Sequence, residues 1–245
     1  MTIKTYIEIN NKMKEIFFDV NSQEYKELLD KNLVKKNELN LKLFTKDKKV
    51  QDVWRYNYIP EKGVINNKTS DFNSKFNDKK IPLDIKNSII LLLESPHKDE
   101  YQKNNFIPIA PAQGATGRAI EKFKDRNSSK TLKYLTIEDL LKKTNIIEKS
   151  PILLVNPVQY QASLGSFTKK LNKNLRNNLW KSLFNELKND FISRITIYKP
   201  LLIINGCTND LKDEVNNCIN TNKIINVPHP YNWSFGGIRN PIYLK

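Results

Sequence analysis

Four short apolar runs punctuate the chain, each ending on polar residues or proline. Ile89-Ile90-Leu91-Leu92-Leu93 closes on Glu94-Ser95-Pro96-His97, and Ile152-Leu153-Leu154-Val155 closes on Asn156-Pro157. Leu201-Leu202-Ile203-Ile204 closes on Asn205-Gly206, and Ile224-Ile225-Asn226-Val227 closes on Pro228-His229-Pro230. Runs of this length without alternation predict strands buried on both faces, as in a parallel sheet. Helical periodicity fills the intervals. Residues 116–125 place Ala119, Ile120 and Phe123 on one face, and Thr136 with Glu138 and Asp139 makes an N-cap before Leu140-Leu141. Leu171, Leu175, Leu179, Leu183 and Leu187 recur every four residues within 171–195, and Thr208 is placed to cap a helix carrying Leu211, Val215, Cys218 and Ile219. Strands alternating with helices predict an α/β domain over residues 81–245: a three-layer αβα sandwich around a central, mainly parallel, four-stranded sheet. Such sheets bind ligands at the carboxyl ends of their strands, so Glu94, Asn156 and His229 are expected to meet at one edge.

Residues 1–80 are less regular. Weak helical patterns surround Tyr25, Leu28 and Leu29, and again Leu39, Leu41 and Leu43; Trp54, Tyr56 and Tyr58 follow. Residues 61–80 are polar, rich in Asn, Lys, Ser and Asp. The pattern predicts an N-terminal helical or irregular extension ending in a polar linker.

A chain of 245 residues holds one sizeable domain with a side element. Its 41 Lys and Arg against 26 Asp and Glu give a net charge of +15. Such a field favours polyanions, nucleic acid first and an anionic membrane surface second. Cys207 and Cys218 are too few to build a structural zinc site or a four-cysteine cluster unaided, and read as reduced thiols. No segment reaches membrane-spanning length and no leader cleavage site is evident, so a cytoplasmic protein without membrane attachment is expected.

The strand ends carry chemistry in a recognisable order: ESPHKDE, PAQGATGRAI, LLVNP, LLIING, VPHP. Over about residues 89–235 this resembles the uracil-DNA glycosylase superfamily. Leu93-Glu94-Ser95-Pro96-His97-Lys98-Asp99-Glu100 is similar to its GEAPGxxE motif, with Glu94, Pro96 and Glu100 in register. Pro111-Ala112-Gln113-Gly114-Ala115-Thr116-Gly117 is similar to its PFVGxAG segment, Leu153-Leu154-Val155-Asn156 to its LLLN, and His229-Pro230-Tyr231-Asn232-Trp233-Ser234 to its HPSPLS. The resemblance implies a glycosylase-like fold, DNA as partner, a monomer, and no cofactor or metal. It implies that a nucleotide is flipped from the duplex and read on its Watson–Crick edge. Asn156 would read the base and His229 would stabilise charge developing on the pyrimidine O2. Glu94, followed by Asp99 and Glu100, would stabilise an oxocarbenium-like sugar or position water. Lys98, Arg118, Gly114 and Thr116 would meet phosphate, the last two through amides at a helix start. Trp233 takes the place of the duplex-inserting residue, with Tyr231 and Phe235 beside it.

Two departures shape the expected substrate. Ser95 replaces the water-activating aspartate of the GQDPYH form, and Ala112 replaces the phenylalanine that stacks on uracil. His97, at a glycine position of the motif, or Phe106 from the apolar segment 106–109, would have to refill the pocket beside Ala112 and Gln113. A bulkier pyrimidine than uracil, such as a hypermodified cytosine of phage DNA, suits that set better. Two rivals stay open: a non-catalytic DNA-binding protein on the same fold, and a nucleotide-processing α/β enzyme.

Overall fold

Alternate residues of each apolar run enter different cores. Ile90, Leu92, Leu153, Val155 and Ile203 join one buried cluster; Ile89, Leu91, Ile152, Leu154, Leu202 and Ile204 join the other. Two-sided burial is why these runs are continuous rather than alternating. The computed structural model describes residues 1–129, 134–165, 167–168, 173–219 and 223–244.

The strands are β1 (Thr2–Ile9), β2 (Lys12–Asp19), β3 (Val34–Lys35), β4 (Glu38–Leu39), β5 (Val53–Ile59), β6 (Gly63–Asn66), β7 (Ser88–Leu92), β8 (Ser150–Val155), β9 (Pro200–Asn205), β10 (Ile224–Asn226) and β11 (Ile242–Leu244). The helices are α1 (Ser22–Asp30), α2 (Ala115–Phe123), α3 (Arg126–Ser129), α4 (Ile137–Lys143), α5 (Lys173–Tyr198), α6 (Asn209–Asn216) and α7 (Pro230–Trp233). The main sheet has seven strands in the order β11-β10-β9-β7-β8-β5-β6. The four expected strands form its parallel centre, whereas β11 and β5 run antiparallel to it and β6 pairs antiparallel with β5. The expectation of a four-stranded, mainly parallel sheet is therefore corrected to a mixed, seven-stranded one. One face packs against α5 and α6, the other against α2, α4 and Trp233. Position 171, the first leucine of the predicted long helix, lies outside the described residues. No helix among the described residues is long and apolar enough to cross a membrane.

The reading of residues 1–80 as a helical extension with a linker is also corrected. Residues 1–39 contain a second sheet, β2-β1-β4-β3, and the pattern around Leu39, Leu41 and Leu43 is a short strand and irregular chain, not a helix. Only the pattern around Tyr25 is helical, as α1, closed by an Asn21–Glu24 capping box. Glu24 reaches further: its Oε1 accepts the Leu175 amide at 3.0 Å, satisfying a first-turn N–H of α5 and placing negative charge at that helix's positive end. Ser182 and Asn178 of α5 donate to the Phe17 and Asp19 carbonyls of β2 at 2.6 and 2.7 Å.

Trp54, Tyr56 and Tyr58 lie in β5, which pairs with β8 inside the main sheet. Most of the polar residues that follow are exposed, but Asn67 and Asp78 are buried internal partners. Arg55 is 1% exposed and grips Asp78 through Nε at 2.6 Å and Nη2 at 3.0 Å. The same guanidinium donates to the carbonyls of Ala112 at 3.1 Å and Pro111 at 2.5 Å, and Phe76 covers it at 4.4 Å.

From β7 the chain continues to β8 on one side, and β8 leads to β9 on the other. The crevice between the ends of β7 and β9 is thus a topological switch point, where open α/β sheets place ligands. Gly206 closes its floor, donating to the Leu92 carbonyl at 3.0 Å. A Cβ there would lie 2.8 Å from that oxygen and 2.9 Å from Pro230 Cδ. Gly206→Ala is expected to destabilise the fold by about 1–3 kcal/mol. An unchanged midpoint in thermal denaturation would show that the contact is looser than this geometry.

Candidate active site

The turns after β7 and β10 and the start of α2 surround a cavity of about 550 Å³ at the switch point, completed by Ser163, Arg176 of α5 and Thr208 before α6. Of the residues singled out in the sequence, Glu94, His97, Asp99, Glu100, Gly114, Thr116, His229 and Tyr231 line it.

Glu94 leaves the end of β7 almost fully buried, at 4% exposure. Its Oε2 accepts the Thr208 amide at 3.2 Å, and its Oε1 lies 3.5 Å from Arg176 Nε. The backbone is held as firmly: the Glu94 carbonyl accepts Trp180 Nε1 at 3.0 Å, and its amide donates to Asn156 Oδ1 at 3.4 Å. A carboxylate fixed in this way can face a developing cation without first reorganising.

His229 precedes the one-turn helix α7. Its Nδ1 accepts the Tyr231 amide at 3.2 Å, so the neutral ring carries its hydrogen on Nε2. Enclosure depresses its pKa below the ordinary imidazole value, against the opposing pull of Glu94. At neutral pH the ring is therefore an uncharged donor. His97 is likewise pushed down by burial, with Asp99 at 3.6 Å resisting. Asp99 packs against Gly114 at the start of α2, where a Cβ would fall 2.1 Å from its Oδ2. Burial pushes the Glu100 pKa up to about 8, despite the Ala112 and His97 amides and the Arg55 charge.

Other expected site residues lie elsewhere. Asn156 follows β8, fully buried and not on the cavity wall, and its Nδ2 has no hydrogen-bond partner among the described residues. Asp52 holds that turn, accepting the Asn156 amide at 3.3 Å, Gln159 at 3.0 Å, Tyr198 Oη at 3.0 Å and Arg194. Ala112 and Gln113, expected to touch substrate, are buried behind the wall: Ala112 gives its carbonyl to Arg55, and Gln113 donates to Asp78 at 3.1 Å. Phe106 stacks on Tyr101 with ring centroids 4.0 Å apart and does not line the cavity. Trp233, expected to insert into a duplex, is fully buried and donates to the Pro228 carbonyl at 2.8 Å. The exposed aromatics on that turn are Tyr231 and Phe235, 47% and 72% exposed, edge to face at 5.6 Å. Lys98 and Arg118 are exposed and outside the wall.

Arg176 and Thr208 were not legible as wall residues. Arg176 carries no motif; Thr208 read only as a helix cap, yet it makes no capping bond and its buried Oγ1 has no partner. Cys207 is buried behind the wall, where burial pushes its thiol pKa well up. Among the described residues no group of three or more His, Cys, Asp or Glu side chains is placed to hold a metal ion. Comparison with protein-family models, curated proteins and solved structures finds no match.

Proposed function

We propose that the protein is a monofunctional DNA glycosylase of the uracil-DNA glycosylase kind. The observation that carries the reading is that Glu94 and His229, from the two most distant strand-end motifs, face one cavity at the switch point of the sheet. Water attacks C1′ of a flipped nucleotide as the C1′–N bond breaks, and the electron pair of that bond passes to the base. His229 Nε2–H donates to the oxygen on which that charge gathers, strengthening as it grows. The Glu94 carboxylate faces the oxocarbenium-like sugar and takes the proton that the attacking water releases. Asn156 fits a supporting role, holding the Glu94 amide; reading a base would require it to release that bond.

A cavity of about 550 Å³ is roomy for an unsubstituted pyrimidine and lies within the usual range of about 300–1,000 Å³ for small-molecule sites. That volume supports a substituted cytosine over uracil, in keeping with a defence role against phage DNA. The net charge of +15 supports DNA as the partner. A nucleotide-processing enzyme is the second reading, favoured by Arg176, a cation in the wall able to meet a phosphate.

The test incubates the protein at low salt with plain, uracil-containing and hypermodified-cytosine DNA. Alkali-labile breaks and free base, detected by mass spectrometry, are expected from the last. Release of uracil at an equal or faster rate would reverse the substrate preference, and release from none of the three would remove the enzyme reading.

A further inference from the structure

Two residues of the cavity wall each carry a buried polar atom without a hydrogen-bond partner among the described residues: Glu100 at Oε2 and Thr208 at Oγ1. An unpartnered buried polar atom is destabilising, so its presence in a residue of the cavity wall points to a ligand that completes it. Glu100 is the more informative because a carboxyl can present either of two faces. Ionised, it offers acceptors alone; protonated, it offers one donor as well.

The surroundings decide which form is present. Glu100 is 5% exposed and makes no ion pair among the described residues. The cation that acts on it is Arg55 of β5, whose guanidinium is already committed to Asp78 and to the carbonyls of Pro111 and Ala112. Asp99, the preceding residue, adds a like charge, and Tyr101 follows as a buried neutral phenol. His97 beside it, and His229 in the wall, are held towards their neutral forms by burial; Arg176 in the wall is engaged with Glu94. The Ala112 and His97 amides pull the carboxyl towards its charged form, and burial outweighs them.

We propose that Glu100 acts as a neutral carboxylic acid that donates to an acceptor on the edge of the bound base, which makes it a specificity residue for cytosine-type pyrimidines. This rests on the reading that the cavity receives a base. The ring nitrogen of a cytosine accepts a hydrogen bond where that of uracil bears a hydrogen, so a fixed donor separates the two classes. An ionised carboxylate would repel the same nitrogen.

Two measurements test it. Carbon-13 NMR of glutamate-labelled protein should show one carboxyl, absent from Glu100→Gln, titrating near pH 8. Binding of 5-hydroxymethyl-2′-deoxycytidine should fall about tenfold per pH unit above that midpoint in the wild type. In Glu100→Gln, whose amide keeps a donor at every pH, binding should stay flat from about pH 6 to about pH 9; Glu100→Ala should bind weakly throughout. A midpoint below about pH 6 overturns the proposal whether or not the protein excises bases. So does nucleoside binding that is undetectable, or that ignores both pH and the Gln substitution. If titration and binding behave as expected while no DNA releases a base, the glycosylase reading alone is overturned.

Discussion

If the protein releases bases as proposed, replacing His229 with alanine is expected to lower the single-turnover rate by about 100- to 1,000-fold, the usual loss when one preorganised donor is removed from a developing negative charge. The expectation rests on the tautomer. Because Nδ1 accepts the Tyr231 amide, Nε2 is the end that carries hydrogen, and no second side chain is needed to orient the ring. His229→Gln should recover part of the rate, since an amide donates without titrating. The pH profile follows from the same contact. The imidazole pKa lies below its ordinary value, so the neutral form prevails at neutral pH and is lost only as pH falls through that depressed value. Protonation then puts hydrogen on Nδ1, and the bond that seats the ring is broken. Activity should decline on the acid side in wild type, and His229→Gln should lack that limb. A rate in His229→Ala within a few fold of wild type would remove the ring from the chemistry.

Asp78→Ala is expected to cost about 3–5 kcal/mol of folding stability, because it strands the Arg55 charge in the interior. The two residues are 1% and 0% exposed, and the bidentate pair also anchors the Pro111 and Ala112 carbonyls behind the cavity. Removing both charges should be milder. A double substitution, Arg55→Met with Asp78→Leu, leaves no isolated ion, although the two carbonyls lose their donor. Urea unfolding of the two single variants and the double variant separates the terms. If Asp78→Ala loses less than about 1 kcal/mol, water reaches the pair and the clamp is not internal.

These two sites show what could be read along the chain and what could not. The central strands were plain because Ile89 to Leu92 and Ile152 to Val155 are buried on both sides, which forces unbroken apolar runs. The positions of Glu94 and His229 followed from those strand ends. Strands β5 and β6 were hidden because Arg55 interrupts the apolar pattern and its partner, Asp78, lies in a stretch whose composition reads as solvated. Polarity in sequence does not distinguish a side chain facing water from one facing a buried counter-charge. Asn156 shows the same limit at a finer scale. Its place at a strand end was legible, but whether its amide turns to the cavity or to the Glu94 backbone depends on Asp52 and Arg194, remote in sequence. Trp233 could be placed on the His229 turn but not assigned to surface or core. Arg176 reaches the wall only because α5 crosses behind β7, which no local pattern encodes.

The pairing of β5 with β8 sets the timing of assembly on the ribosome. Asp52, at the start of β5, bonds to Asn156, which is 104 residues further along. At elongation rates of about 5–20 residues per second, the β5–β6 hairpin emerges some ~5–20 s before the strand that completes it. During that interval one edge of β5 has neither a neighbouring strand nor a covering helix, and an open strand edge is a template for association with other chains. The nascent first third of this protein is thus expected to be prone to association through that edge until translation delivers residues 150–155.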